Sequence, residues 1–294
     1  MTGIGLDEEE RAAGRMGEAK RAEALRALAE DGFVVLRGVI DVAHIDLLKE
    51  RMLADLGRIL ARADAPFNFN TGNVQQAPPP FHPYLFRDVL FNEMVIGVTR
   101  AALGPGVKNG FYSGNTALPG GERQPVHPDV GQLWPDLAHA TPPFGLVVNV
   151  PVVDMGPENG ATELWPGTHR DTTYSIHDGA PRIPEEKLAP WRARRPPVQP
   201  TAARGDVLIR DTRLWHAGMP NHTEEPRPMI AMIHWASWWS EADAIDLPEE
   251  ARDFFTHPAL RTVARWHPSV DHLRHGQAYD LRRQTFPAAT TRGE

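Results

Sequence analysis

Apolar positions recur at helical spacing over the first hundred residues and at strand-like spacing beyond them. From Leu6 to about Ala29, an Ala-, Arg- and Glu-rich stretch places Met16, Ala19, Ala22, Leu25 and Leu28 on one helical face. Asp31-Gly32 predicts the end of that helix, and GFVVLRGVI then reads as a short buried strand. A second amphipathic helix is predicted from about Val42 to Ala63, with Leu47, Leu48, Met52, Leu56 and Leu60 on one side. A third spans Phe86 to Leu103 and is ended by Gly104-Pro105. These helices are expected to buttress a sheet, with residues 1–6 frayed. Between the second and third, FNFNTGN alternates like a strand, whereas Pro78-Pro79-Pro80 cannot join a sheet interior.

From Val107 the pattern changes to short β-branched or aromatic runs punctuated by Gly and Pro. Strands are predicted at 109–117, 122–127, 145–153, 162–165, 198–202, 206–210 and 228–238, a spacing that suggests a β-sandwich or barrel. The polar, Pro-rich stretch from His169 to Pro197 reads as a loop or lid. The tail after Glu241 returns to helix and irregular coil, with Trp266 and Phe286 as packing points. No repeat or long linker divides the chain. The expected organisation is one domain over 1–294, with a helical buttress at 6–103, a β core at about 107–239 and a C-terminal extension at 241–294.

Composition narrows the classes of function. The 294 residues are 41% apolar and 23% charged, the balance of a globular protein. A formal charge of -7 gives no reason to expect nucleic acid or an anionic membrane as partner. The absence of Cys excludes disulfides, thiolate ligands and a cysteine nucleophile, and suits a reducing cytoplasm, the expected compartment. No apolar signal region and no run of about 18 apolar residues is present. A free small molecule is the expected partner, and the chain is expected to be a monomer or homodimer.

Candidate chemistry centres on QPVHPDV, where His127 and Asp129 stand at i and i+2. In an extended segment such residues share a face. With one more His they form the 2-His-1-carboxylate set that leaves positions open and suits non-haem Fe(II). Taken alone, the tripeptide also fits a loop His beside a turn Asp. In RGDVLIRDTRLWHAG, His216 follows a buried strand and a short loop, where a third ligand would come from across a barrel; His222, in a turn, is its rival. Arg227 opens the strand PRPMIAMIHW. A guanidinium pointing inward among Met, Ile and Ala is costly unless an anion meets it, and it can hold a carboxylate bidentately. An ordinary salt bridge to Glu224 or Asp211 is the alternative.

Together these stretches resemble the phytanoyl-CoA dioxygenase family of Fe(II)- and 2-oxoglutarate-dependent oxygenases. The resemblance spans roughly residues 25–240 and takes in GFVVLRGVI, QPVHPD, NVPVVDMGPENGATELWPGTHR, RGDVLIRDTRLWHAG and Arg227 in order. Asn159-Gly160 and Pro166-Gly167-Thr168-His169 look like the family's "NG…PGSH" signature. The resemblance implies a mainly β (α+β) fold, a cupin-like double-stranded β-helix or jelly roll with flanking helices. Position by position, it implies His127, Asp129 and His216 as iron ligands and Arg227 as the receiver of the remote carboxylate of 2-oxoglutarate. Gln124 and Thr162 match cosubstrate contacts of the biosynthetic branch. Gly218 stands where some members carry a small hydroxyl residue. One of Asn68, Asn70 and Asn73 could also reach the cosubstrate, whereas His169 is expected to be a structural turn residue.

The chemistry so implied uses Fe(II), 2-oxoglutarate and O2 to oxidise, by default hydroxylate, an unactivated C–H of a metabolite, releasing succinate and CO2. Halogenating members replace the carboxylate ligand with a small residue, so Asp129 argues for oxygenation. Candidate walls of the substrate site are Phe69, Leu133, Trp134, Asn149 and Trp235, with core packing as the alternative for the tryptophans. A cupin-like metal enzyme without 2-oxoglutarate and a non-catalytic metal-binding member of the fold are the rival readings.

Overall fold

The computed structural model describes residues 3–69, 71–134, 136–173, 182–240 and 244–274; Asn70 and Phe286 lie outside the described residues. The strands are β1 (Ile4–Gly5), β2 (Phe33–Arg37), β3 (Asn73–Gln75), β4 (Lys108–Ala117), β5 (Gly145–Pro151), β6 (Glu163–Leu164), β7 (Val207–Asp211), β8 (His216–Ala217), β9 (Arg227–Trp235), β10 (Ile245–Pro248), β11 (Arg261–Thr262) and β12 (Ala264–His267). The helices are α1 (Glu8–Ala13), α2 (Glu18–Glu30), α3 (Val42–Leu60), α4 (Arg87–Leu90), α5 (Glu93–Leu103) and α6 (Glu185–Arg194).

Eight strands form one sheet in the order β1-β2-β7-β5-β9-β4-β11, with β3 also paired to β4. Because strand residues alternate between faces, the sheet carries two cores. Val34, Leu36, Val148, Ile209 and Ile230 pack outward with Leu28 of α2, Leu48 and Met52 of α3 and Val98 of α5. Phe33, Val35, Leu208 and Met229 point the other way and meet Met155, Leu164, Ala202 and Leu214. That inner face is closed by β6 paired with β8 and by isolated bridges joining His127 to His216, Leu164 to Val198 and Met155 to Ala202. The result is the expected jelly roll with helices on its outer face.

Several elements differ from expectation for local reasons. The first predicted helix is two: Gly14, at φ 58°, caps α1, and the chain restarts at α2. The third is likewise split, because Asn92 accepts hydrogen bonds from Met94 N and Val95 N and begins α5 afresh. Residues 4–5 are not frayed but add β1 in parallel to β2, burying Ile4. The predicted strands at 122–127 and 198–202 make only the bridges named above. The lid contains α6. The tail forms strands rather than helix: β10 pairs with β12, and β11 adds to β4, whose exposed edge groups need partners.

His234 faces outward from β9, with Nδ1 3.0 Å from Thr99 Oγ1 of α5 and Nε2 buried without a partner among the described residues. Burial pushes its pKa down to about 3. Its unfolded value is near 6.5, so below that pH the unfolded chain binds a proton that the folded chain refuses. Stability contributed by the neutral ring is thus complete above pH ~6.5 and is lost as pH falls toward 3, at up to ~1.4 kcal/mol per pH unit. Acid unfolding followed by circular dichroism should show His234→Leu with a shallower loss between pH ~6 and ~4 than the wild type; parallel curves would place the acid sensitivity elsewhere.

Candidate metal centre

Reciprocal backbone hydrogen bonds between His127 and His216, both 2.9 Å, bring two distant segments together and set the imidazoles 4.4 Å apart between centroids. Asp129 is fixed two residues on, its N–H donating to Thr212 O at 2.9 Å. One ligand atom from each of His127, Asp129 and His216 lies within 4.8 Å of the others, the single such group among the described residues. The sequence therefore placed all three members, and His222 is exposed and outside the cluster. His169 is buried in the turn Thr168–Arg170, its Nε2 3.2 Å from Ala29 O, and also lies outside it.

The donor set suits a metal cation. His127 Nδ1 is 2.7 Å from Pro125 O and His216 Nδ1 3.0 Å from Leu214 O. A carbonyl can only accept, so Nδ1 carries the proton on each ring and Nε2 keeps its lone pair for a metal. Burial lowers the pKa of both rings, which keeps them neutral. Asp129 is the exposed member of the three; its crowded surroundings push the carboxyl up, but the Arg210 guanidinium beside it, with help from His216, holds it down to about 2.

Arg210 was not foreseen. It sits on the inner face of β7, and its Nη1 donates to Asp129 Oδ2 at 2.5 Å while Nε reaches Asn149 Oδ1 at 3.4 Å. The period-2 pattern of VLIRD puts it on the same face as Leu208, the argument already applied to Arg227, and would have found it. Asp129 Oδ1, 3.5 Å from His216 Nε2, is left for the metal. Arg210→Leu should weaken Co(II) binding, followed by its visible spectrum, by about 10-fold or more, because the carboxylate loses the contact that fixes its rotamer. Unchanged affinity would show that Asp129 is held without it.

At the start of β9, Arg227 is 2% exposed. Neither alternative partner meets it: Nη2 donates to Gly160 O at 2.6 Å, Nε reaches Asn159 O at 3.4 Å, and Asp211 pairs instead with Arg213. Nη1 is buried with no partner among the described residues, and burial lowers the pKa to about 10. Thr162 follows this segment directly. Gln124 is clasped by Gly218, with Gln124 N donating to Gly218 O at 2.8 Å and Gly218 N to Gln124 Oε1 at 2.9 Å. A Cβ on Gly218 would lie 2.6 Å from Gln124 Oε1 and 3.2 Å from Asn73 Nδ2, so a larger residue here would have to push the Gln124 amide aside. Asn68 O accepts from Gln124 Nε2 at 3.3 Å, and Asn73 shares an inner-face rank with Ala117 and Arg227.

The proposed walls fall differently. The Phe69 ring lies 4.4 Å from that of His127, on a backbone at φ 67° that a bulky residue rarely adopts. Leu133 is half-buried and Trp134 is 54% exposed beyond it. Asn149 is buried against Arg210. Trp235 is packed, stacked on Trp239 at 5.1 Å with its ring edge over Gly145.

The family model for phytanoyl-CoA dioxygenase matches residues 28–229. The dioxygenase af480 of Aspergillus fumigatus is 27% identical over 220 residues, covering 73% of this chain and 66% of that protein, just under two thirds of its length. The dioxygenase FUM3 of Gibberella moniliformis is 24% identical over 251 residues, covering 79% and 75%. AviO1 from Streptomyces viridochromogenes Tue57 superposes with a TM-score of 0.57 at 23% identity, over 77% of this chain and all of that one. EctD from S. alaskensis, solved with 2-oxoglutarate and 5-hydroxyectoine, gives 0.56 at 20% identity, over 87% and 89%. The matched span contains the whole His–Asp–His cluster and Arg227, and the chain belongs to the phytanoyl-CoA dioxygenase family.

Proposed function

We propose that this protein is a non-haem Fe(II)- and 2-oxoglutarate-dependent dioxygenase that oxidises, by hydroxylation, an unactivated C–H of a small-molecule metabolite. The observation that carries this reading is the buried Arg227 Nη1 without a partner among the described residues, inside the barrel that also holds the metal cluster. A buried cation without an anion is costly. A dicarboxylate anchored there at one end and directed to the metal at the other removes that cost. EctD, which shares the fold, has been solved once with bound Fe and once with 2-oxoglutarate, which supports this reading.

In this reading His127, Asp129 and His216 hold the ferrous ion through Nε2, Oδ1 and Nε2. When bound, the ion and 2-oxoglutarate supply the activation of dioxygen, with succinate and CO2 as coproducts. Arg227 receives the remote carboxylate and stays charged while doing so. Gln124, oriented by both backbone groups of Gly218, and Thr162 flank the cosubstrate. Arg210 would keep Asp129 ionised and oriented for the metal, and a carboxylate here, where halogenating members carry a small residue, favours oxygenation over halogenation. Phe69 shields one face of His127 from water. Among the described residues no helix is long and apolar enough to cross a membrane.

Anaerobic titration of the Fe(II)-loaded protein with 2-oxoglutarate tests the assignment. A visible metal-to-ligand charge-transfer band that saturates with 2-oxoglutarate is expected, with substrate-dependent succinate release once oxygen is admitted. Metal binding without any 2-oxoglutarate binding would favour the cupin-like enzyme that does without it.

A further inference from the structure

The part of the inner wall that β3 and β4 supply beside the metal cluster is polar, and its described residues there are uncharged. On β3 and β4 the inward positions Gln75, Asn115 and Ser113 follow one another, with Gln75 paired to Asn115 and Ser113 next to Ala231 of β9. Asn149 of β5 lies on the other side of Ala231 in the same rank. This wall touches the site from two directions. Asn68 donates to Asn115 Oδ1 at 3.3 Å, and the ring of its neighbour Phe69 lies tilted against that of His127. Asn149 reaches Asp129 through Arg210. Gln75 Oε1 and Ser113 Oγ are buried with no hydrogen-bond partner among the described residues. Such groups are otherwise satisfied in folded proteins.

We propose that the substrate is a neutral, hydroxyl-rich small molecule whose hydroxyl groups, flanking the oxidised C–H, hydrogen-bond to Gln75, Ser113 and Asn115. The inference rests on the dioxygenase reading and adds the substrate class. Carboxamides and a hydroxyl both donate and accept, as the hydroxyls of a polyol do. An ammonium group would find no free carboxylate among the described residues of this wall, since Asp129 is committed to Arg210 and, in the dioxygenase reading, to the metal. A fatty acyl chain would leave these polar atoms desolvated and unpaired, and the apolar part of the interior, around Leu208 and Met229, is already filled by protein.

Saturation-transfer NMR tests this on the Zn(II)-loaded protein with 2-oxoglutarate, using myo-inositol, methyl glucoside, decanoate and decanoyl-coenzyme A as probes. Both polyols should receive saturation and displace one another, and the two acyl probes should receive none. Asn115→Leu and Ser113→Ala should each weaken polyol binding by up to about tenfold, the worth of a lost hydrogen bond. The 2-oxoglutarate signal in the same tube reports the cosubstrate site and folding. Its absence from the wild type would overturn the dioxygenase reading. Its presence, with no polyol signal, with acyl binding, or with polyol binding unchanged in both variants, would overturn the substrate class alone. If Asn115→Leu loses the 2-oxoglutarate signal, the smaller Ser113→Ala decides.

Discussion

Arg227→Ala is expected to raise the dissociation constant for 2-oxoglutarate by about two to three orders of magnitude while changing ferrous affinity only a few-fold. Removing one partner of a desolvated charge pair costs about 2–5 kcal/mol, and each ~1.4 kcal/mol is a factor of ten. The guanidinium is buried, its Nη1 is unpartnered among the described residues, and two backbone carbonyls hold the rest of it in place. It is therefore pre-organised, and little of the interaction is lost to ordering. The metal ligands sit on other segments, bridged to each other rather than to β9, which is why iron binding should survive. Anaerobic equilibrium binding of both partners separates the two effects. Equal losses of iron and 2-oxoglutarate would point to a structural role for Arg227 instead.

The largest effect on stability should come from Gly114→Ala, about 3 kcal/mol or more, at the upper end of overpacking changes. A Cβ there would lie 2.0 Å from Met229 O and 3.2 Å from Gln76 O. Both are backbone atoms, so no rotamer change relieves the clash. The pair Gly114–Ile230 sits in the middle of the β4–β9 ladder, which would have to open. The same ladder positions Arg227 and Ser113, so cosubstrate binding should weaken with stability. Urea unfolding should show a lower midpoint with an unchanged slope. A loss below ~1 kcal/mol would mean that the strands separate more easily than this packing implies.

Legibility followed the range of the forces involved. The metal cluster could be read because His127 and Asp129 are local, and a strand's period of two fixes their common face without knowledge of the rest. Arg227 could be read because a charge placed inside an apolar strand is costly until an anion meets it. Gly218 could be located, but its role could not: only the fold shows that its backbone clasps Gln124 and that a side chain would strike it. Arg210 was not foreseen, and most of the polar wall is not legible in the sequence. Asn68 and Asn149 stand out there as candidate contacts, whereas Gln75, Ser113 and Asn115 look like ordinary strand polarity until pairing aligns them. The tail after Glu241 is expected from its sequence to be helix and irregular coil, whereas the free edge of β4 and the partnership of β10 with β12 make part of it strand.

By itself the sequence determined the alternation that gives the sheet two faces, the residue types at the metal, and the buried cation that calls for an anion. Each rests on short-range covalent geometry or on the cost of burying a charge, and neither needs a partner to be specified. The tertiary structure decided which oxygen of Asp129 pairs with Arg210 and which lies beside His216, which face of the barrel is polar, and which tryptophan is packed rather than open. Those depend on strands brought side by side from distant parts of the chain, and on hydrogen bonds that exist only once they meet.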